Sequence, residues 1–321
     1  MKNKKQVNKY SKLILWCLIL VPVLGFGQES VGKKIYLDSL GVETNYDNHL
    51  YYRVIESFDT TTNLYSFKEY YKSGAISMSG QALTDNAQNR SGEFINYYEN
   101  GNKKSVTNYL KGRIIGNEEL WHENGTKESE SEYLETDDQF STVQKMKNFW
   151  KSDGTQTVVN GNGSFENTTE GCLDKGNYKN GFKEGVWTGS FNNGKSYTEE
   201  YENGKLKSGT STDDENNEYR YTDLKINPEP LKGINDFYKH IGKNFQIPRA
   251  YDNLKGKIIT SFIVEKTGEL IELKTLKSLI DTLDREAIRV VKSYGKWKPG
   301  ILRGQKVRVL YSIPISLQGS R

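Results

Sequence analysis

The sequence predicts a mainly β protein. An array of short β-hairpin repeats is followed by a small α+β domain, a three-stranded antiparallel sheet carrying helices. Three observations predict this. An aromatic residue, a polar pair and Gly recur through the middle of the chain. Residues 231–321 switch from helical spacing to alternation, back to helical spacing and again to alternation. The chain holds 21 Tyr and 30 Gly at a mean hydropathy of −0.76, the composition of a turn-rich, aromatic, polar β protein.

The chain opens with Lys2, Lys4, Lys5, Lys9 and Lys12, an apolar run over residues 13–24, and Gly25-Phe26-Gly27. A basic flank, a short apolar run and small residues at −3 and −1 predict a signal peptide over residues 1–27 and export to the periplasm or cell envelope. The run is shorter than the ~20 residues that cross a bilayer. The competing reading is an uncleaved segment that anchors the chain to the inner membrane. Cys17 lies inside the apolar run after Trp16, without the small residue that precedes a lipidated Cys. Cys172 is then the sole Cys of residues 28–321, so no intramolecular disulfide holds the fold.

Residues 28–222 carry the repeats. The unit appears as Tyr71-Lys72-Ser73-Gly74, Tyr98-Glu99-Asn100-Gly101, His122-Glu123-Asn124-Gly125, Tyr178-Lys179-Asn180-Gly181, Phe191-Asn192-Asn193-Gly194 and Tyr201-Glu202-Asn203-Gly204. Trp150-Lys151-Ser152-Asp153-Gly154 carries one extra residue. Asn-Gly between alternating runs predicts type I′ hairpins, because both central residues of that turn need positive φ. Further turns at Lys111-Gly112 and Gly185 fall between units, so each unit is two short strands and the units form a long meander. One hairpin cannot bury its own face, so neighbours must cover it. The aromatic before each turn is expected to recur on one face. The pattern resembles MORN repeats in their YwqK-type form, most closely at Gly176-x-Tyr178-x-x-Gly181-x-x-x-Gly185-x-Trp187.

Residues 213–218, DDENNE, lack the Gly and ligand spacing of a calcium loop and read as a solvated turn. Residues 223–230, with Pro228 and Pro230, read as a linker. Leu231, Ile234, Phe237, Tyr238 and Ile241 then recur at helical spacing and predict a helix over residues 231–245.

In 257–265, Ile258, Thr260, Phe262 and Val264 alternate onto one face. In 269–276, Ile271 and Leu273 do, after a tight turn at Thr267-Gly268. Residues 281–293 return to helical spacing through Leu283, Ala287, Val290 and Val291, with Asp281 as N-cap. In 306–317, Val307, Val309, Tyr311, Ile313, Ile315 and Leu317 alternate as one strand. This 231–321 segment resembles the C-terminal domain of the TonB family of energy transducers. The residues that carry the likeness are Ile247-Pro248-Arg249-Ala250, Gly256-x-Ile258-x-Thr260-x-Phe262-x-Val264, Gly268, Leu283-Asp284-x-x-Ala287, Trp297-Lys298-Pro299, Gly304-Gln305 and Ile313-Pro314.

The resemblance implies an envelope protein whose C-terminal domain meets TonB-dependent outer-membrane receptors, or another envelope protein, by strand pairing, in the service of transmembrane transport. Pro314 lacks an N–H, which confines its strand to an edge or a bulge. The candidate partner-binding residues are therefore the strand Lys306, Val307, Arg308, Val309, Leu310, Tyr311 and Ser312, with Lys296, Lys298 and Arg303 beside it and Lys292 nearby. Residues 231–321 carry eighteen Lys and Arg against eight Asp and Glu, a net charge of +10, while residues 28–230 carry −11. A basic edge of this kind favours an acidic segment. The chain departs from a full transducer in holding 6 Pro, without the usual Pro-rich spacer. A scaffold or adhesion protein working through its repeats is the alternative.

No nucleophile elbow, phosphate loop or His-Glu-x-x-His motif occurs, and the three His are scattered, so no enzyme activity, cofactor or metal is expected. Export and the scarcity of interleaved aromatics argue against nucleic acid. Association of identical chains is left open. If the leader reading holds, N-terminal sequencing of the protein made in a Gram-negative host returns Gln28 as first residue. A start at Met1 in the inner-membrane fraction supports the anchor instead.

Overall fold

A computed structural model describes residues 31–39, 41–87, 89–136, 141–169 and 171–318. The leader reading of residues 1–27, Cys17 included, lies outside the described residues. Sixteen strands follow one another in sequence order as an antiparallel meander, and a small domain with two helices comes after them. The described residues divide into two compact units, up to Ile115 and from Gly116 onward, so the division falls inside the repeats.

The first unit holds β1 (Lys34–Leu37), β2 (Tyr51–Asp59), β3 (Leu64–Tyr71), β4 (Ile76–Ala82), β5 (Arg90–Tyr97), β6 (Lys103–Leu110) and the start of β7 (Arg113–Trp121). Its core gathers Ile55, Phe67, Met78, Ala82, Ala87 and Phe94. Arg53 and Glu69, both largely buried, form an ion pair across β2 and β3.

The second unit continues with β8 (Lys127–Glu135), β9 (Thr142–Trp150), β10 (Gln156–Val159), β11 (Asn162–Thr169), β12 (Cys172–Lys179), β13 (Phe182–Phe191), β14 (Ser196–Glu202), β15 (Lys205–Thr212) and β16 (Glu218–Tyr221). Phe149, Phe165, Tyr178 and Trp187 touch in series, with ring centroids 4.5, 5.6 and 5.1 Å apart. Glycines on one strand seat aromatics of the next. A Cβ on Gly176 would fall inside the Trp187 indole, one on Gly189 inside the Tyr197 ring, and one on Gly209 inside the Tyr221 ring. The ring covers bare backbone, which gives a polar repeat a core.

The turns fall into two classes, which corrects the uniform type I′ expectation. Lys111-Gly112, Asn160-Gly161, Asn180-Gly181 and Asn203-Gly204 have positive φ at both residues. At Gly74, Gly101, Gly125, Gly154 and Gly194 the Gly has positive φ and its preceding residue does not. There the Gly amide donates to the carbonyl three residues back, as Gly101 does to Tyr98 at 2.9 Å. Asn100, Asn124 and Asp153 accept from the amide two residues on, at 2.9, 3.0 and 2.8 Å. The short polar side chain closes its own turn and removes the need for positive φ. The turn aromatics also link units through hydrogen bonds: Tyr71 Oη donates to the Tyr97 carbonyl at 2.7 Å, and His122 Nε2 lies 3.0 Å from the Trp150 carbonyl.

The C-terminal domain adds β17 (Lys225–Ile226), β18 (Glu229–Pro230), α1 (Ile234–Asn244), β19 (Gly256–Val264), β20 (Leu270–Lys277), α2 (Asp281–Ser293), β21 (Trp297–Lys298), β22 (Gly300–Leu302), β23 (Gln305–Val307) and β24 (Val309–Leu317). Its main sheet runs β20-β19-β24. Phe237 and Ile241 of α1 and Leu283, Ala287, Val290 and Val291 of α2 pack on Ile258, Phe262, Ile313 and Ile315, with Trp297 among them.

Four details differ from the sequence expectations. Residues 223–230 are not a free linker: β17 pairs with β22 and β18 with β21, and Pro230 closes a two-residue ladder opposite Trp297. The strand expected over 306–317 is two strands, because β23 pairs with β22 and β24 with β19, broken at Arg308. On β20, Leu270 enters the core instead of Ile271. Glu272, at φ 51°, makes a bulge that shifts the phase before Leu273. Asp281 is the first helical residue of α2 and does not cap it; Asp284 reaches back to accept from the Leu279 amide at 3.3 Å.

Gly189→Ala is expected to destabilise the second unit by about 1–3 kcal/mol through overpacking against Tyr197. Denaturant unfolding of the full chain measures it. The same change at exposed Gly242 of α1, at ordinary helical φ with open space for a Cβ, is expected to be neutral or stabilising and gives a control for the loss of Gly alone.

Candidate functional site

β24 lies at an edge of its sheet. Its inner side pairs with β19 over the whole strand, from Val309 opposite Val264 to Leu317 opposite Gly256. Its sequence divides cleanly: Ile313, Ile315 and Leu317 are buried, while Leu310, Ser312, Pro314 and Ser316 are exposed. Tyr311 packs on Phe262 and Trp297, with centroids 5.8 and 5.2 Å apart. Val309 sits over Gly300, where a side chain would collide with it. Leu310 is 65% exposed, a large apolar side chain beside the open edge.

The basic residues around the edge are largely engaged with acids of the same chain. Lys296 meets Glu269 at 3.2 Å, and Lys298 meets Glu229 at 2.6 Å. Arg308 meets Glu265 at 2.6 Å and Glu272 at 3.2 Å. Lys306 on β23 makes no ion pair among the described residues, and neither does Lys292, but Lys292 and Lys296 line a groove with Glu269–Leu273 along β20, at the opposite edge of the sheet from β24. These four pairs, held by three cations at or near the surface, are worth roughly 0–1 kcal/mol each, little enough for an incoming carboxylate to replace.

Arg303 differs from the rest. Arg303-Gly304 is the two-residue turn between β22 and β23, with φ of 50° and 77°. It carries the guanidinium against the last strands of the repeats, where Nε donates to Glu199 at 2.8 Å and the plane lies 3.7 Å from the Tyr197 centroid. Glu199 has no exposure to solvent. It also accepts from Tyr201 and Tyr221 hydroxyls at 2.9 and 2.8 Å. Burial pushes both phenols up, and the Glu199 carboxylate adds to that. Burial works against the Arg303 charge, but the bond and attraction to Glu199 outweigh it. Ser211 Oγ donates to the Arg303 carbonyl at 2.7 Å and accepts from Gln305 at 2.9 Å. Arg303 thus belongs to an internal contact between array and domain.

Glu199, Tyr197, Tyr221 and Ser211 were not singled out in the sequence. A signal was present. In Tyr197-Thr198-Glu199-Glu200-Tyr201 an acid occupies the inward phase between two aromatics. A carboxylate there needs a buried partner. Cys172 is buried beside the same cluster, its thiol donating to Asp174 at 3.3 Å, and burial first and Asp174 second push it up to about 11. No group of three or more His, Cys, Asp or Glu that could hold a metal occurs among the described residues. No helix among them is long and apolar enough to cross a membrane.

Residues 249–317 match the family model described as the Gram-negative bacterial TonB protein C-terminal. The match covers β19 to β24 and α2. That family is a non-enzymatic, envelope-associated energy-transducer domain, and the chain carries a TonB-like domain at its C-terminal end. No curated protein matches the chain.

Proposed function

We propose that the protein is an envelope component that presents β24 to an extended segment of a TonB-dependent outer-membrane receptor. The observation that carries the reading is a long edge strand, fully paired on its inner side alone, in a domain of this family. An added strand would take main-chain hydrogen bonds from β24, with Leu310 and Ser312 exposed beside it. Lys306 supplies uncommitted positive charge, and Lys298 and Arg308 supply charge held in weak pairs; Lys292 and Lys296 lie beside β20 and have no part at this edge. Arg303 has no part in the contact, being held by Glu199. The work of the domain on this reading is docking in aid of transport across the outer membrane.

A second reading, with the repeats as an interaction surface, draws on a cleft of about 410 Å3 in the first unit. Tyr51, Tyr71, Tyr97, Arg90, Asn96 and Glu69 line it.

The test is binding of the chain from Gln28 onward to peptides from extended periplasmic segments of such receptors. Lys306→Glu is expected to slow association several-fold at low salt and to flatten the salt response, with dissociation little changed. Val309→Pro is expected to abolish binding, with circular dichroism confirming the fold. Failure of the unaltered chain to bind any such peptide at low salt rejects the reading in favour of the repeats.

A further inference from the structure

Among the aromatics packed on β12 to β14 stands one lysine. Lys183 of β13 lies opposite Tyr178 of β12, and its ammonium is 4.0 Å from the Trp187 centroid and 5.1 Å from that of Tyr201. A lysine at the margin of a core ordinarily runs its stem along apolar surface and leaves its charge in water. Half-buried Lys183 rests the charge on rings instead, and it makes no ion pair or hydrogen bond among the described residues. Burial lowers its pKa, opposed at a distance by Glu199 and Asp174. Both acids are committed elsewhere. Glu199 is held by Arg303, Tyr201 and Tyr221, and Asp174 accepts from Tyr197 and Cys172. Glu184, next in sequence, accepts from the Asn203 amide at 2.8 Å and meets Lys179 at 3.6 Å.

Lys183 lines a cavity of about 330 Å3 within the second unit. The turn before β13, the Asn203-Gly204 turn and β9 enclose it, and the Met146 amide ties β9 to the first of these turns by donating to the Gly181 carbonyl at 2.9 Å. Val143, Tyr178 and Phe182 supply apolar wall, Gln144 and Asn203 supply amides, and exposed Lys205 adds a second ammonium. No acid lines the cavity. The Tyr178 hydroxyl makes no hydrogen bond among the described residues, and burial pushes it up to about 12, so it stays a donor.

We infer that this cavity binds a small carboxylate carried on an apolar group, with the anion on Lys183 and the apolar part against Val143, Tyr178 and Phe182. Pockets for small molecules run from about 300 to 1,000 Å3, which limits the occupant here to a small one. One half-buried ammonium matches a single negative charge, and away from bulk water that attraction is stronger than at an exposed site. A phosphate dianion would give up more hydration than apolar walls return. A free short-chain acid and the C-terminal residue of a peptide share the required chemistry. The cavity is formed by the repeats, so the inference does not depend on receptor binding at β24.

Isothermal titration calorimetry of the chain from Gln28 onward tests it. Octanoate is expected to bind and to raise Tm, with octylamine, acetate and inorganic phosphate at least about tenfold weaker. Acetyl-Gly-Leu, compared with octanoate, distinguishes the two sources of the carboxylate by which binds more tightly. Lys183→Met keeps a stem on Trp187 and removes the charge. It is expected to cut octanoate affinity roughly 10- to 100-fold without lowering the Tm of the free chain. Val143→Phe fills the cavity from an exposed position, leaves the charge intact and is expected to lose binding comparably, so it carries the test if Lys183→Met folds poorly. Lys257→Met makes the same change of net charge at an exposed position outside the repeats and is expected to leave affinity unaltered. The inference is overturned if neither octanoate nor the peptide binds, or if acetate or phosphate binds as tightly as octanoate. It is also overturned if folded Lys183→Met or Val143→Phe binds as the unaltered chain does, or if Lys257→Met loses as much as Lys183→Met.

Discussion

The seating of the C-terminal domain on the last repeat strands depends on one ion pair, Arg303 with Glu199. A carboxylate with no access to water is tolerable only when its charge and lone pairs are met, and removing one partner of such a pair costs about 3–5 kcal/mol. Here the pair is supplemented by the Tyr201 and Tyr221 hydroxyls and by the Tyr197 ring. The turn that delivers the guanidinium must be tight. Gly304, at φ 77°, allows it, and a side chain there would press on Tyr219 at 3.0 Å. The Arg303 amide donates to the Leu224 carbonyl at 2.8 Å, and β17 and β18 pair alongside. The last repeat strands thus act as the seat for a hairpin of the C-terminal domain, and β24 starts shortly after that hairpin.

This arrangement explains why a charge count overstates what the interaction edge has to offer. The domain is strongly basic in sequence, yet the guanidinium nearest the array is consumed internally, and Lys296, Lys298 and Arg308 hold carboxylates of the same chain. What remains uncommitted is distributed, with Lys306 near the β24 edge, Lys292 beside β20, Lys232 just before α1 and Lys239 and Lys243 on it.

The broad architecture was legible because it rests on periodicity. Alternation placed Ile258, Phe262, Ile313 and Ile315 in the core, and helical spacing placed Leu283, Ala287, Val290 and Val291 against them. The features that escaped rest on single residues or on long-range contacts. Glu272 bulges β20 without a Gly to announce it, and the strand register changes behind it. Asn100 and Asn124 close their turns by side-chain hydrogen bonds, which the dipeptide Asn-Gly alone does not distinguish from a type I′ turn. Arg303 and Glu199 lie 104 residues apart, and no local pattern joins them. Prolines at 228 and 230 suggested a linker, but a two-residue ladder asks little of a backbone amide, and Pro230 meets Trp297 in one.

The central claim is that the C-terminal domain is seated on the array by Arg303, leaving β24 open. Hydrogen–deuterium exchange on Arg303→Met against the unaltered chain tests this most directly. The account predicts lost protection in β15 and β16, in residues 223–230 and in β22 and β23, while β19 and the inner side of β24 stay protected. Faster exchange confined to the 303–304 turn, with β15 and β16 unchanged, would contradict it.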